Sequence, residues 1–146
     1  RKKGGGRLLG EACHFIDLIR FLADSPINDI AVIYQDDNSK NKDTFAITLS
    51  FVDGSIGTIN YFSNGSKTFP KERMEVFADG KIIQIENFLK LKSWGFPRNF
   101  NIRHLKQDKG QKNCISSFLN SIKTNSPSPI PVNEISEIQE WLLKLI

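Results

Sequence analysis

Residues 4–24 read GGGRLLGEACHFIDLIRFLAD, and this stretch predicts a glycine-rich entry into one long amphipathic helix. Apolar residues recur at steps of three and four, which places them on one helical face: Leu8, Ala12, Phe15, Ile19 and Leu22. A polar row follows the same spacing and consists of Arg7, Gly10, Glu11, His14 and Asp17. We expect Ser25-Pro26 to end the helix, because proline cannot continue the hydrogen-bond ladder and disfavours helix before it.

Gly10 is the unusual member of the polar row, since glycine inside a helix costs roughly 1 kcal/mol relative to alanine. A site that admits a ligand or another backbone beside His14 would explain why this cost is tolerated. A solvated helix face that happens to carry a histidine explains the same pattern. Spacing alone therefore leaves both interpretations open.

The glycines at positions 4–6, His14 eight residues later and Ile16-Asp17 resemble the start of a known domain. It is the C-terminal domain of the glucose–fructose oxidoreductase/inositol dehydrogenase (Gfo/Idh/MocA) family. The likeness continues through MEVFADGKIIQIENF and through SPSPIP and VNEI before the last helix. Members of this family are two-domain NAD(P)-dependent oxidoreductases that act mostly on sugars and cyclitols.

The resemblance implies that residues 1–146 are the substrate-binding and oligomerisation half of a longer two-domain enzyme. Its substrate would be a sugar, a sugar nucleotide or a cyclitol, oxidised or reduced at a hydroxyl or carbonyl group. His14 matches the family histidine and would transfer the proton, which suits an imidazole because its usual pKa lies near neutrality.

The carboxylate beside the family histidine is where this chain departs from the pattern. The family's catalytic aspartate falls on Gly10, and its glycine falls on Ala12. Glu11 is the nearest carboxylate and is our second catalytic candidate, provided that the helix is rotated or the substrate sits differently.

Four residues are candidates for contacts with the substrate. Asp17 matches the later aspartate of the family pattern, although a structural role is the alternative. Arg7 would meet an anionic substrate group or the nicotinamide side, or lie on the surface. Lys71 and Arg73 follow Pro70 in a region that lies near the substrate in the family, and a charged strand end is their simpler explanation.

The expected cofactor is NAD or NADP, but no residue of this chain is predicted to bind it. No G-x-G-x-x-G follows a strand, so the dinucleotide fingerprint of a Rossmann domain is missing from this sequence. We expect the cofactor to bind elsewhere in the full-length protein and this chain alone to be inactive. Cys13 and Cys114 do not form a metal-ligand pattern, and no metal site is predicted.

Length and composition predict one domain over residues 1–146, with an ordinary globular balance of 39% hydrophobic and 25% charged residues. No apolar run reaches the eighteen or so residues that span a bilayer, so no membrane partner is expected. The net charge of +4 is dispersed, which argues against nucleic acid as a partner. A reduced, cytoplasmic setting is the default expectation.

The rest of the chain predicts strands at 27–35, 44–51, 55–62, 73–77 and 81–88, an edge strand or flap within 89–103, and helices at 109–124 and 134–146. In the first hairpin a three-residue loop with Gly54 keeps the apolar face whole by pairing Phe45 with Tyr61. In the second hairpin a two-residue Asp79-Gly80 loop fits better. The helix at 109–124 should bury Ile115, Phe118, Leu119 and Ile122. The last helix should begin at an N-cap on Asn133 and bury Ile135, Ile138, Leu142 and Leu145.

This order predicts an α+β domain with an open, mainly antiparallel sheet and helices packed on one face. The open face carries small and polar residues and could meet water, a substrate or another subunit. The family resemblance implies that it carries the subunit contacts of a homo-oligomer. The alternative function is a non-catalytic oligomerisation or ligand-binding domain that keeps the fold without the chemistry, and Gly10 in place of aspartate favours it.

Overall fold

The computed structural model describes residues 6–36, 42–98 and 100–145. The predicted glycines at 4–5, most of the polar loop at 36–43 and the end of the last helix at 146 lie outside them. The chain divides into two compact units. The first unit comprises residues 1–64 and 127–146, and the second comprises residues 65–126. The expectation of a single domain stays a prediction.

In chain order the elements are a π-helical turn at Leu8–Ala12, α1 at Cys13–Ala23, β1 at Ile27–Tyr34, β2 at Phe45–Phe51, β3 at Ile56–Tyr61, β4 at Arg73–Ala78, β5 at Lys81–Glu86, β6 at Lys90–Trp94, β7 at Ile102–Arg103, α2 at Gln111–Thr124 and α3 at Val132–Lys144. The predicted α+β class is confirmed. The strands form two antiparallel sheets, β1-β2-β3 and β4-β5-β6-β7, where the sequence predicted one. No helix among the described residues is long and apolar enough to cross a membrane.

The β2–β3 hairpin has the register that the sequence predicts. Phe45 pairs with Tyr61 and Ile47 with Ile59, around a three-residue loop in which Gly54 adopts a φ of +89°. The Asp53 carboxylate accepts hydrogen bonds from the backbone N–H and the hydroxyl of Ser55. These bonds lower the pKa of Asp53, because they stabilise its ionised form.

The core of the first unit lies on one face of its sheet. Its buried apolar residues are Leu8, Ala12, Ile16, Ile27, Ile30, Phe45, Ile47, Leu49, Phe51, Ile59, Ile138 and Leu142. The π turn, α1 and α3 contribute to this cluster together with all three strands. Helices therefore pack on one face of the first sheet, as predicted.

The predicted apolar face of the first helix is partly wrong. Ile16 and Arg20 are buried, whereas Leu22 is 42% exposed, so the buried row is Leu8, Ala12, Ile16 and Arg20. The π turn explains the shift, because its i→i+5 hydrogen bonds include one more residue per turn than an α-helix. The three-and-four pattern read from Leu8 is therefore about one residue out of phase after this turn.

The second unit contains the four-stranded sheet and α2. Val76 pairs with Ile83 and Met74 with Ile85, which confirms the predicted two-residue loop. Asp79 and Gly80 both adopt positive φ, 49° and 72°, as the tight hairpin turn of this type requires.

Three expectations for the later helices are wrong. The apolar stripe predicted to be buried by α2 (Ile115, Phe118, Leu119 and Ile122) is 48–62% exposed. Helical periodicity predicts that a stripe exists but does not say what covers it. In α3 the N-cap is Pro131 rather than Asn133, because the Pro131 carbonyl already accepts the Glu134 and Ile135 N–H groups. Ile135 is also 46% exposed.

Gly57 should be needed for the close packing of α1 on β3. A Cβ added there would collide with the Ile19 Cγ2 methyl, so Gly57→Ala forces the helix or its side chain to shift. We expect it to lower the free energy of unfolding by about 1–3 kcal/mol, measured by urea denaturation. Gly10→Ala is the matched control, because no atom lies within 4 Å of a Cβ placed there. Equal effects of the two substitutions would contradict this packing.

Candidate functional site

His14 is the second residue of α1 and follows directly on the π turn. Its side chain is exposed, so the imidazole is open to a ligand. No hydrogen bond or ion pair joins it to another residue within 6–36, 42–98 and 100–145. Its ring nitrogens can therefore hydrogen-bond to an incoming group.

Arg7, one residue before the π turn, is the centre of a polar cluster. Its Nη1 donates to the Tyr61 hydroxyl at 3.0 Å and lies 3.9 Å from Glu11 Oε1. Its Nε lies 3.9 Å from Asp43 Oδ2, and its backbone N–H donates to Asp43 Oδ1 at 3.4 Å. We call Arg7, Glu11, Asp43 and Tyr61 the Arg7 cluster.

Tyr61 and Asp43 are members of the cluster that sequence reasoning missed. The Tyr61 ring stacks on Phe45, with centroids 5.1 Å apart and planes 12° from parallel, so its hydroxyl is fixed at the end of β3. The predicted hairpin register, which pairs these two rings, was a signal that could have located Tyr61. Asp43 ends a polar loop, and nothing in its sequence context distinguishes it.

The charges of the Arg7 cluster do not sum to a cationic site. One guanidinium faces two carboxylates, and the Tyr61 hydrogen bond and these carboxylates raise the pKa of Arg7. The cluster carries a net charge of −1, and an anionic ligand group gains little beside it. The arrangement suits neutral hydroxyl groups, which can exchange hydrogen bonds with both the guanidinium and the carboxylates.

Glu11 and Asp17 differ in their surroundings. Glu11 lies in the π turn, half exposed and paired with Arg7, and its role as a second catalytic carboxylate stays a prediction. Asp17 is half-buried on α1 and has no hydrogen-bond partner in the described part of the chain. Gly10 faces open space, since a Cβ there would meet nothing within 4 Å.

Lys71 and Arg73 belong to the second unit, so their predicted place in the His14 site stays a prediction. Arg73 donates to Glu75 Oε1 from Nη2 at 2.5 Å and from Nε at 3.2 Å. This pairing raises the pKa of Arg73 and lowers that of Glu75. Lys71 is exposed just before β4.

The described residues contain no group of three His, Cys, Asp or Glu side chains able to hold a metal ion. Both described sheets are antiparallel, whereas a dinucleotide site of the Rossmann type needs parallel strands joined by helices. The described sheets therefore do not form a dinucleotide site of the Rossmann type.

The model of the GFO/IDH/MocA C-terminal domain family matches residues 1–84. A comparison with curated proteins found no match. Among solved structures, UDP-N-acetylglucosamine 3-dehydrogenase GnnA from Acidithiobacillus ferrooxidans is 15% identical, with a TM-score of 0.76 over 94% of this chain and 45% of that one. The dehydrogenase MviM from Clostridium difficile is 20% identical, with a TM-score of 0.69 over 95% of this chain and 46% of that one.

The WlbA dehydrogenase from Bordetella pertussis, solved in complex with NADH and UDP-GlcNAcA, is 16% identical, with a TM-score of 0.51 over 97% of this chain and 44% of that one. The chain thus spans less than half the length of the solved structures it resembles. The family match covers more than half of the chain, and the chain belongs to the GFO/IDH/MocA C-terminal domain family. The family resemblance noted from the sequence is confirmed.

The Tyr61 hydroxyl should hold the Arg7 guanidinium in place. We expect Tyr61→Phe to release it, because the 3.0 Å bond is the shortest that the guanidinium makes. In ¹⁵N NMR spectra the Arg7 Nε–H should then exchange faster with water. Tyr34→Phe is the control, since Tyr34 is the other of the two tyrosines and packs edge-on against Phe45. Unchanged Arg7 exchange in Tyr61→Phe would contradict this arrangement.

Proposed function

We propose that this chain is the substrate-binding half of an NAD(P)-dependent oxidoreductase that acts on a sugar, a sugar nucleotide or a cyclitol. Family membership supports the reaction class, and the exposed imidazole of His14 is the observation that carries the assignment. Three solved relatives are dehydrogenases, and two of them have a UDP-sugar in their names or complexes.

His14 is the proposed proton-transfer group. When an alcohol is oxidised, its hydroxyl must lose a proton, and a free imidazole within hydrogen-bond reach can accept it. The reverse direction returns the same proton to the carbonyl oxygen. The absence of an ion pair on His14 among the described residues supports this role, because the ring need not break one to take part.

The Arg7 cluster is proposed to orient the sugar ring. Its hydroxyl and carboxylate oxygens are acceptors and its guanidinium is a donor, so vicinal hydroxyls of a polyol can bridge them. Glu11 would act beside His14 as the catalytic carboxylate, in place of the family aspartate whose position Gly10 occupies. Asp17 would contact the substrate from the next turn of α1, and Lys71 and Arg73 remain proposed substrate contacts of the second unit.

The cofactor is proposed to be NAD or NADP, bound by a part of the full-length protein outside this chain. It would supply the redox chemistry, and the residues described here would supply the proton and the orientation of the substrate. A cytoplasmic location is proposed with it, since this chemistry uses the intracellular nicotinamide pool.

The open face of the first sheet is proposed as the contact between subunits of a homo-oligomer. Two isoleucines on it, Ile33 in β1 and Ile56 in β3, are each 74% exposed. Between them the face is small and polar, with Thr48 opposite Thr58. A flat face with apolar edges suits a second copy of the same sheet.

A non-catalytic ligand-binding domain is the second candidate function. Gly10 in place of the family aspartate favours it, and no carboxylate hydrogen-bonds to His14 within the described residues. Because the space beside Gly10 is open, the missing carboxylate can be restored without a clash.

His14→Ala in the full-length protein should lower kcat by about 10²–10⁴-fold, the usual contribution of a general base, with the fold retained by circular dichroism. The steady-state assay would use NAD or NADP with UDP-N-acetylglucosamine and with myo-inositol. His104→Ala is the control, because the sequence contains only these two histidines.

Equal turnover of the two histidine variants would overturn the assignment of His14. Wild-type protein that binds the substrate without turnover, but gains turnover in Gly10→Asp, would establish the non-catalytic reading for the natural sequence.

The oligomer contact is tested by Ile33→Asp, which should convert the full-length protein to a smaller species in sedimentation velocity. A buried unpaired charge opposes association at such a contact. Phe21→Asp is the control, since Phe21 is 73% exposed on α1 and lies off this sheet. An oligomer that persists in Ile33→Asp would place the contact elsewhere.

A further inference from the structure

The charge of the chain is divided unevenly between its two units. The second unit has twelve Lys and Arg against five Asp and Glu, a net charge of +7. The first unit has eight against eleven, a net charge of −3. The net charge of +4 for the whole chain therefore combines a strongly basic second unit with an acidic first unit. The positive charge of the second unit attracts anions.

A recess of about 290 Å³ in the second unit has three of these cationic residues in its lining. Its lining residues are Lys90, Leu91, Lys92, Asn101, Ile102 and Arg103, and we call it the basic recess. Lys90 lies opposite Arg103 across the β6–β7 ladder, and Lys92 is two residues along the same strand. Cross-strand partners and alternate residues share a sheet face, so these three cations lie on one side of the sheet, whereas Leu91 and Ile102 lie on the other.

The acidic groups nearby do not neutralise these cations. Glu86 is shared by both lysines, at 3.9 Å from Lys90 Nζ and 3.5 Å from Lys92 Nζ. Arg103 has no ion pair within the described residues of the chain. Three cations thus face one carboxylate, which leaves a charge of +2 within a Debye length of about 8–10 Å.

The wall that carries Asn101 and Arg103 is fixed although β7 has only two residues. On one side, the buried Ser93 hydroxyl accepts the Phe100 N–H at 2.8 Å and donates to the Phe100 carbonyl at 2.9 Å. On the other side, the His104 N–H donates to the Leu89 carbonyl at 2.8 Å. These bonds fix the segment that carries Asn101 and Arg103 against β6.

We propose that the basic recess binds a phosphate group, most favourably a diphosphate. Two negative charges match the uncompensated +2, the Arg103 guanidinium can hold phosphate oxygens in pairs, and the Asn101 amide adds a neutral donor. The volume admits a diphosphate but is small for a complete sugar nucleotide. The proposal does not depend on the proposed chemistry of His14, which belongs to the first unit.

A diphosphate can come from an inorganic source or from a nucleotide, and Trp94 distinguishes them. Trp94 follows Lys90 and Lys92 at two-residue intervals along β6 and is 43% exposed. Its ring therefore lies on the same sheet face as the cations. Four residues of strand span about 13 Å. A base could therefore stack on Trp94 while its diphosphate occupies the recess.

The experiment is calorimetric titration of the whole chain with pyrophosphate and with UDP at low salt. The triple variant Lys90→Gln, Lys92→Gln and Arg103→Gln should lose at least tenfold in affinity, because each charge-assisted bond is removed. Its control, Lys67→Gln, Lys81→Gln and Lys123→Gln, changes the total charge equally on exposed lysines of the same unit and should lose less than threefold. If the triple variant does not fold by circular dichroism, Arg103→Gln alone replaces it, with Lys81→Gln as its control.

UDP that binds more tightly than pyrophosphate, by a margin that Trp94→Leu abolishes, supports a nucleotide ligand. Equal binding of both supports a phosphate site without base recognition. The proposal is overturned if recess and control variants weaken binding equally, or if wild-type protein shows no saturable binding. It is also overturned if only a single-stranded oligonucleotide, and neither small anion, responds to the recess substitutions.

Discussion

The first unit depends on a buried ion pair that connects its two separate chain segments. Arg20 in α1 is only 7% exposed, and its Nε donates to Glu137 Oε2 in α3 at 3.0 Å. Glu134 adds a second carboxylate at 3.9 Å. The other oxygen of Glu137 accepts the Ile27 N–H at 2.5 Å, so one carboxylate holds the first helix, the last helix and the start of β1. Replacing Glu137 leaves Arg20 with only the more distant Glu134, and replacing Arg20 leaves two partly exposed carboxylates without a cation. Each change should therefore cost less than the roughly 3–5 kcal/mol typical of a fully buried pair.

This anchor also fixes the helix that carries His14. Arg20 lies on the buried side of α1, in one row with Ile16, while His14 lies on the exposed side. A helix clamped at its inner face presents a constant outer face to a ligand. The Arg7 cluster is held from the sheet side, because Tyr61 stacks on the buried ring of Phe45. The contact between α1 and the first sheet therefore determines both the packing of the core and the geometry of the site.

The parts of the fold that sequence could predict are those set by local chemistry. Both hairpin registers follow from Asp-Gly turns together with alternating strands, and both are confirmed. The buried row of α1 could not be predicted correctly, since no residue pattern in the sequence indicates the π turn. The partner of Arg20 lies 117 residues away, and no local rule connects such distant residues. The exposed stripe of α2 shows the converse, because periodicity identifies an apolar face without identifying what covers it.

The candidate site, like the fold, could be predicted from the sequence only where local patterns determine it. The family pattern located His14 and helical spacing placed Arg7 on the same stretch, but the contacts that surround Arg7 come from β3 and from the loop before β2. These contacts change its interpretation, because two carboxylates balance its charge and favour neutral hydroxyls over an anion. A group of three cations with one carboxylate beside it lies instead on β6 and β7, where alternation along a short strand gave no motif.

A double-mutant cycle on Arg20 and Glu137 tests most directly whether this ion pair holds the first unit together. The free energy of unfolding would be measured by urea denaturation for Arg20→Met, Glu137→Gln, the double variant and the wild type. We expect a coupling energy of about 1–3 kcal/mol, with the double variant less destabilised than the sum of the single variants. Single effects that add to within about 0.5 kcal/mol would contradict it.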